Sequence, residues 1–450
     1  MLNCWTLPAA TDLHGAYACP SEMFRSAARA VFLLPKRRAV DRASRPHYAV
    51  WELTLGCNLS CHHCSSRAGR PRTDELSTDE ALGLVAQLRN LGVEEVTLIG
   101  GEAYLRRDWL DVVRAIRARG MRCTMVTGGR AFTADRAAAA RDAGLQSISV
   151  SVDGLEASHD ALRGVRSSFH NAFQAIGCIR RAGMQVTANT QIGRTNRHDI
   201  PLLLERLIEA GVAAWQAQIT VPMGRAADNP ELILEPYQML EVIPMLARLK
   251  RRCDQAGVLF WPGNNVGYFG PHEAELRDSL PECHRGSCGA GRSAIGVEST
   301  GDIKGCPSLP SAEYVGGNVR EHALRDIWER APSVGFMRER STSDLWGHCR
   351  TCYYAAECLG GCSWTAHSIM GRPGNNPYCH HRALMLLRAG KRERIERRAA
   401  PPGEPFDLGV WDLIEEVWPD RELERARAVA RGQEVWLFDP KFESQPEEIL

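Results

Sequence analysis

Six short runs rich in β-branched residues follow one another between residues 48 and 221, each trailed by a helix-like stretch. They are "YAVWELTL" (48–55), "EVTLIG" (95–100), "RCTMVTG" (122–128), "SISVSVD" (147–153), "QVTANTQI" (185–192) and "WQAQITV" (215–221), with Gly, Asp and Asn punctuating their ends. The clearest intervening helix opens at Ser77 with Glu80 three residues on, a capping box, and carries Leu84, Leu88 and Leu91 along one face. Six strand–helix units in series predict a parallel sheet with right-handed crossovers, an α/β fold that closes into a partial (β/α)6 barrel. The notable residues follow the strands. Cys57 to Cys64 come after the first, Gly100 to Glu102 after the second, Thr127 to Gly129 after the third, and Ser151 and Asp153 end the fourth. All lie at carboxyl ends, so in a parallel barrel they meet at one rim, where such folds build active sites.

The rest of the chain divides around this unit. Residues 1–47 read as an N-terminal extension, 48–250 as the barrel, 251–389 as a cysteine-rich domain with its linker, and 390–450 as a C-terminal extension. Helical patterns in that extension lie around "WDLIEEVW" and "RELERARAVA". With 450 residues there is room for two or three domains. A near balance of 55 basic and 54 acidic residues argues against a general nucleic-acid binder. The early apolar run "AVFLL" is too short to span a bilayer and lacks the order of a secretory signal. The expectation is a cytoplasmic protein with no membrane or nucleic-acid partner. Sixteen cysteines in a reducing compartment point to metal or redox chemistry rather than disulfides. Cys4, Cys19, Cys123, Cys178 and Cys253 stand apart from the clusters and read as small hydrophobes.

"CNLSCHHC" places Cys57, Cys61 and Cys64 as C-x3-C-x2-C. A cubane iron–sulfur cluster takes four thiolates when closed, so three leave one iron open for a small molecule, as a catalytic zinc keeps one position free. This pattern after a first barrel strand resembles the signature of radical S-adenosylmethionine (radical SAM) enzymes. The resemblance spans roughly residues 48–225. It implies that the open iron chelates S-adenosylmethionine and that cluster reduction cleaves it to methionine and a 5′-deoxyadenosyl radical, which abstracts hydrogen from substrate. "GGEAYLR" resembles the family's Gly-Gly-Glu segment, so Gly100, Gly101 and Glu102 meet the cofactor, with Glu102 facing its ammonium. "SVDG" and "HDALRG" resemble segments that contact ribose and carboxylate, which implicates Ser151 and Arg163. The position before the third cysteine is often aromatic in the family; here His63 occupies it and is expected to stack on adenine.

A second group reads Cys283, Cys288, Cys306, then Cys349, Cys352, Cys358 and Cys362, then Cys379. Its spacing, C-x2-C-x5-C-x3-C in the middle, resembles the SPASM auxiliary-cluster domain found on radical SAM enzymes that modify peptides and proteins. By that resemblance Cys283, Cys288, Cys306 and Cys362 hold one auxiliary cluster, and Cys349, Cys352, Cys358 and Cys379 a second. Eight thiolates suffice for two closed cubanes, giving three 4Fe–4S clusters in all; two closed zinc sites would satisfy the same count. The resemblance implies oxidative crosslinking or other maturation of a ribosomally made peptide. An electron donor such as a flavodoxin or ferredoxin feeds the reaction, and an auxiliary cluster beside the barrel mouth takes up the substrate's electron. The alternatives are a sulfatase-maturase-like protein oxidase, a tetrapyrrole- or other small-molecule-modifying radical enzyme, and a non-enzymatic iron–sulfur electron carrier. Pro307 follows Cys306, where sulfatase maturases usually carry an Asp base, and an electron carrier has no need of an exchangeable iron or of Glu102.

Overall fold

The computed structural model describes residues 44–267, 269–278, 287–433 and 436–437. Cys4, Cys19, Cys283 and most of the N-terminal extension lie outside the described residues. The six expected strands form: β1 (Tyr48–Glu52), β2 (Glu95–Ile99), β3 (Arg122–Thr127), β4 (Ser147–Ser151), β5 (Gln185–Ile192) and β6 (Ala214–Ile219). Between them run α1 (Thr78–Leu91), α2 (Trp109–Ala118), α3 (Ala134–Asp142), α4 (Glu156–Arg163), α5 (Ser168–Arg181) and α6 (Ile200–Glu209). In α1 the capping box is made in both directions, Glu80 N to Ser77 Oγ at 3.3 Å and Ser77 N to Glu80 Oε2 at 2.8 Å. Ala81, Leu84, Val85, Leu88 and Leu91 form its buried stripe. Strands β1 and β4 are buried at every residue, as a parallel sheet covered on both faces requires.

The sheet does not stop at six strands. β7 (Leu259–Pro262) pairs parallel to β6 at one edge. At the other edge β8 (Ala294–Val297) pairs parallel to β1, and β9 (Ile303–Lys304) folds back on β8. The strand order is β7-β6-β5-β4-β3-β2-β1-β8-β9. The cysteine-rich region therefore lends two strands to the barrel sheet, and residue 250 falls inside a continuous helix, α7 (Met239–Ala256). Buried charge ties this seam: Arg72 bridges Glu52 and Glu298, and Lys304 Nζ lies 2.7 Å from Glu298 Oε1 with its side chain fully buried.

Further on, α8 (Ser363–Met370) and α9 (His380–Arg388) precede a hairpin of β10 (Lys391–Ala399) and β11 (Val410–Val417), then α10 (Asp420–Ala430). Here one expectation fails. "WDLIEEVW" is mostly strand, not helix. Its apolar residues fit a helical period, but across from it stands the basic run of β10. Arg392 stands opposite Glu416 and bonds it at 2.7 Å, and Lys391 reaches diagonally to Glu415 at 2.6 Å. Cross-strand pairs and burial of Trp411 outweigh local periodicity. "RELERARAVA" does form the expected helix, within α10.

Candidate active site

The loop after β1 is pinned before it reaches its third cysteine. Cys57 N donates to Gly69 O at 2.9 Å, and Leu59 N reaches Cys57 Sγ at 3.4 Å. Cys61 is buried, while Cys57 and Cys64 are half-buried. Gly100 and Gly101 lie directly against this loop: Gly101 N donates to Thr54 O and Glu102 N to Gly56 O, each at 2.8 Å. A side chain at Gly100, whose φ is +148°, would run into the Thr54 backbone, and one at Gly101 into Gly56 and Cys57. The two glycines thus bring Glu102 up to the cysteines. Glu102 is fully buried and accepts from Thr127 Oγ1 and Gly128 N, each at 2.6 Å. Burial pushes its carboxyl up to about 7 against the pull of those two donors. The charge of Arg163 also draws it down, and a cation arriving beside it would add a closer charge partner.

Asp153 organises the opposite side. Its Oδ2 is 2.6 Å from Arg163 Nη2 and 3.2 Å from His63 Nε2, and its Oδ1 accepts from Gln191 N at 2.9 Å. Burial alone would raise this carboxyl, but the charges of Arg163 and His63 hold it well below the usual carboxylate range. Arg163, the last residue of α4, also points Nη1 at Cys61 Sγ, 3.6 Å away. Its Nε–H is buried and has no partner among the described residues. Ser151 ends β4 and lines the central cavity. The structure thus gathers Glu102, Ser151, Arg163 and the cysteines at the carboxyl rim, and turns His63 inward toward Asp153. Asp153 was placed at the rim by the sequence but given no role.

Two braces were not read from the sequence. Arg225, in the loop-like "RAADNPE", sends Nε to Cys61 O at 2.7 Å and Nη2 to Ala68 O at 3.0 Å. Arg67 pairs with Asp228 at 2.6 Å and with Asp407 of the C-terminal extension at 2.9 Å. Phe406 N donates to Ser65 O at 3.1 Å. The hairpin loop thus clasps the cysteine loop from outside. Asp407→Ala is expected to cost about 1–3 kcal/mol, since it strips a largely buried guanidinium of a charged acceptor. It should lower the melting temperature and speed iron loss to a chelator. An unchanged melt and chelation rate would show that the clasp contributes nothing.

A cavity of about 280 Å³ runs down the barrel interior. Gly100 and Ser151 line it near the rim, and Tyr48 and Ala294, the first residues of β1 and β8, line its other end. Cys288, Cys306 and Cys362 also line it. Cys306 lies beside Gly296 of β8, past the end of β9 and toward that far end. β8 thus carries Cys306 along β1 toward its starting end, while Trp364, two residues past Cys362, donates to Met223 Sδ at 3.3 Å beside the loop that meets Cys64. Burial and mutual proximity push Cys306 up to about 11 and Cys362 to about 12. Cys358 and Cys379 form a separate group, raised by burial and by the nearby thiols of Cys349 and Cys352. The sequence reading also missed the amides that line this cavity, Asn189, Gln191, Gln216 and Gln218 on β5 and β6 and Asn264 and Asn265 beyond β7. The signal of those on β5 and β6 was polar residues at every second position of strands in mid-barrel.

Ligands of one zinc each stand about 2.3 Å from a common point, whereas a cubane's thiolates bind separate irons. Three cysteines, a buried carboxylate and a buried guanidinium thus meet at one barrel rim. Residues 51–207 match the radical SAM superfamily, and residues 288–353 match an iron–sulfur cluster-binding domain, SPASM. The chain is 31% identical to an AdoMet-dependent heme synthase of Nitratidesulfovibrio vulgaris over 358 residues, 74% of this chain and 91% of that protein. It is 27% identical to a PqqA peptide cyclase of Rhizobium meliloti over 380 residues, 82% of this chain and 96% of that one. Streptococcus suis SuiB, solved bound to its precursor peptide SuiA, shares the fold with a TM-score of 0.61 at 17% identity, over 83% of this chain and 84% of SuiB. The chain belongs to the radical SAM superfamily and carries a SPASM domain behind its barrel; S-adenosylmethionine and iron–sulfur clusters are its cofactors.

Proposed function

We propose that this enzyme oxidatively matures a ribosomally made peptide, forming a crosslink or a related modification. The observation that carries the reading is the lining of the lumen. Among its described residues are amides, hydroxyls, apolar groups and three cysteines, with no Lys, Arg, His, Asp or Glu. A tetrapyrrole bears several ionised carboxylates, which would enter such a lumen without counter-charges at a cost of several kcal/mol each. A peptide backbone is neutral and rich in donors and acceptors, as the lining is. The similarity to heme synthases favours a tetrapyrrole, but the uncharged lining weighs against it. The same lining offers no carboxylate base, which disfavours the sulfatase-maturase alternative, and Pro307 itself lines the cavity.

In this reading Cys57, Cys61 and Cys64 hold the catalytic cluster. Together with S-adenosylmethionine it supplies a 5′-deoxyadenosyl radical. Glu102 faces the ammonium of the cofactor, and Arg163, kept charged and oriented by Asp153, serves its carboxylate side. Ser151 serves the ribose, and Gly100 and Gly101 allow the close approach. Cys288, Cys306 and Cys362, with Cys283 beyond the described residues, hold one auxiliary cluster, and Cys349, Cys352, Cys358 and Cys379 a second, for three 4Fe–4S clusters. A flavodoxin- or ferredoxin-type carrier supplies the electron. No helix among the described residues is long and apolar enough to cross a membrane, in keeping with work in the cytoplasm. Glu102→Ala is expected to weaken S-adenosylmethionine binding about 10- to 100-fold, the worth of a charged hydrogen bond, with the cluster spectrum unchanged. Equally tight binding by the variant would remove Glu102 from the cofactor site.

The direct test is anaerobic incubation of the reconstituted enzyme with short peptides encoded beside its gene, read by mass spectrometry and 5′-deoxyadenosine release. The expected product has lost hydrogen atoms from the peptide. If a porphyrin tetracarboxylate stimulates 5′-deoxyadenosine formation and none of the peptides does, the peptide reading is wrong.

A further inference from the structure

Four amides face the cavity from two neighbouring strands, and the register sets them in pairs. Asn189 of β5 stands across from Gln216 of β6, and Gln191 across from Gln218. Asn189 Nδ2 leans on Ser149 Oγ at 3.4 Å. Among the described residues the side-chain amides of Gln191, Gln216 and Gln218 bond to no protein group. Gln191, Gln216 and Gln218 are half-buried, so water reaches their amides in the open cavity, and a ligand that enters it exchanges that water for its own hydrogen bonds. No charged side chain joins them in the described lining, so the partner they suit is neutral.

Each amide offers N–H donors and a carbonyl acceptor, the complement of a peptide bond. The spacing matches as well. Alternate residues of a strand recur about every 6.6–6.8 Å, and neighbouring strands lie about 4.8 Å apart. An extended peptide repeats its outward-facing backbone groups over the same distance. A chain laid along β5 and β6 would therefore meet one amide for every second residue on each side. The strands run toward the rim, so one end of such a chain points at Cys57, Cys61 and Cys64.

We propose that Asn189, Gln191, Gln216 and Gln218 form a seat for the backbone of an extended substrate segment, with little preference for side chains over the grid. The inference rests on the peptide reading above. It goes further by naming the residues that position the substrate and the part of the peptide that they recognise.

The test uses reconstituted holoenzyme and a probe peptide selected from a random-sequence library of short peptides by binding to it. Gln191→Met, Gln216→Met and Gln218→Met preserve volume and remove only the amide. Each is expected to weaken the probe's Kd about tenfold, the effect of one hydrogen bond. In wild type, replacing single backbone N–H groups of the probe with ester oxygens should weaken binding at alternate positions. In the matching Met variant the same ester should cost little more, because the two changes remove one bond. Met variants that bind the probe as wild type does, or ester effects that simply add to the variant's, overturn the proposal. Loss of S-adenosylmethionine retention in the Met variants would assign the grid to the adenosyl group and overturn it too. If the library yields no binder while a porphyrin tetracarboxylate binds, the peptide reading fails first and takes this inference with it.

Discussion

Replacing Cys57, Cys61 and Cys64 together with Ala is expected to lower iron and labile sulfide by about a third and to stop 5′-deoxyadenosine formation. The fraction follows from the proposed three clusters, of which three of the eleven proposed thiolates hold one. The fold should survive the change. The loop is held by backbone bonds, Cys57 N to Gly69 O and Ser60 N to Arg163 O, and by Arg225 on the Cys61 carbonyl, none of which needs a sulfur. Anaerobic reconstitution with iron and sulfide assays, beside chromatography of the cleavage products, reads both outcomes. A triple variant that still cleaves S-adenosylmethionine, or a wild type that holds zinc and no sulfide, would defeat the assignment.

The second large effect is expected at the auxiliary thiols that line the lumen. Hydrogen abstraction leaves a carbon radical on the substrate, and closing a crosslink removes one more electron, which needs an acceptor. Cys306 and Cys362 stand on the cavity wall, so a cluster held there supplies that acceptor within the same enclosed space. Cys306→Ala and Cys362→Ala are expected to keep 5′-deoxyadenosine formation and to abolish or divert product. Lost thiolates also loosen a metal-stapled domain, and β8 and β9 of that domain belong to the barrel sheet. Retained S-adenosylmethionine binding must therefore establish that the variant is folded. A folded variant that lacks this cluster and still forms the normal product at the normal rate would reduce the SPASM domain to scaffold.

Much of this was legible in the chain itself. Strands announce themselves through β-branched runs and helices through their caps, and both signals are local. The six barrel strands accordingly form within a residue or a few of their expected bounds, and Ser77 caps α1 as its motif requires. The C-x3-C-x2-C and Gly-Gly-Glu motifs were legible for a related reason: each is short, so spacing alone limits where its side chains can go.

What sequence could not decide are the arrangements that join distant segments. Phe406 and Asp407 reach Ser65 and Arg67 across more than three hundred residues, and no local pattern marks them as partners of the cysteine loop. "WDLIEEVW" has a helical period but becomes strand because the β10 charges and the packing around Trp411 reward pairing. β8 was hidden in a cysteine-rich stretch, yet by pairing with β1 it carries Cys306 to the far end of the lumen. The amide grid depends on the β5–β6 register, since a slip of one residue would turn every Gln to the opposite face. Sequence by itself determined the βα order and the cysteine loop, because local conformation and short spacing suffice for both. Tertiary structure alone decided the clasp, the place of the auxiliary thiols and the polarity of the lumen, because each depends on strand pairing and packing between segments far apart in the chain.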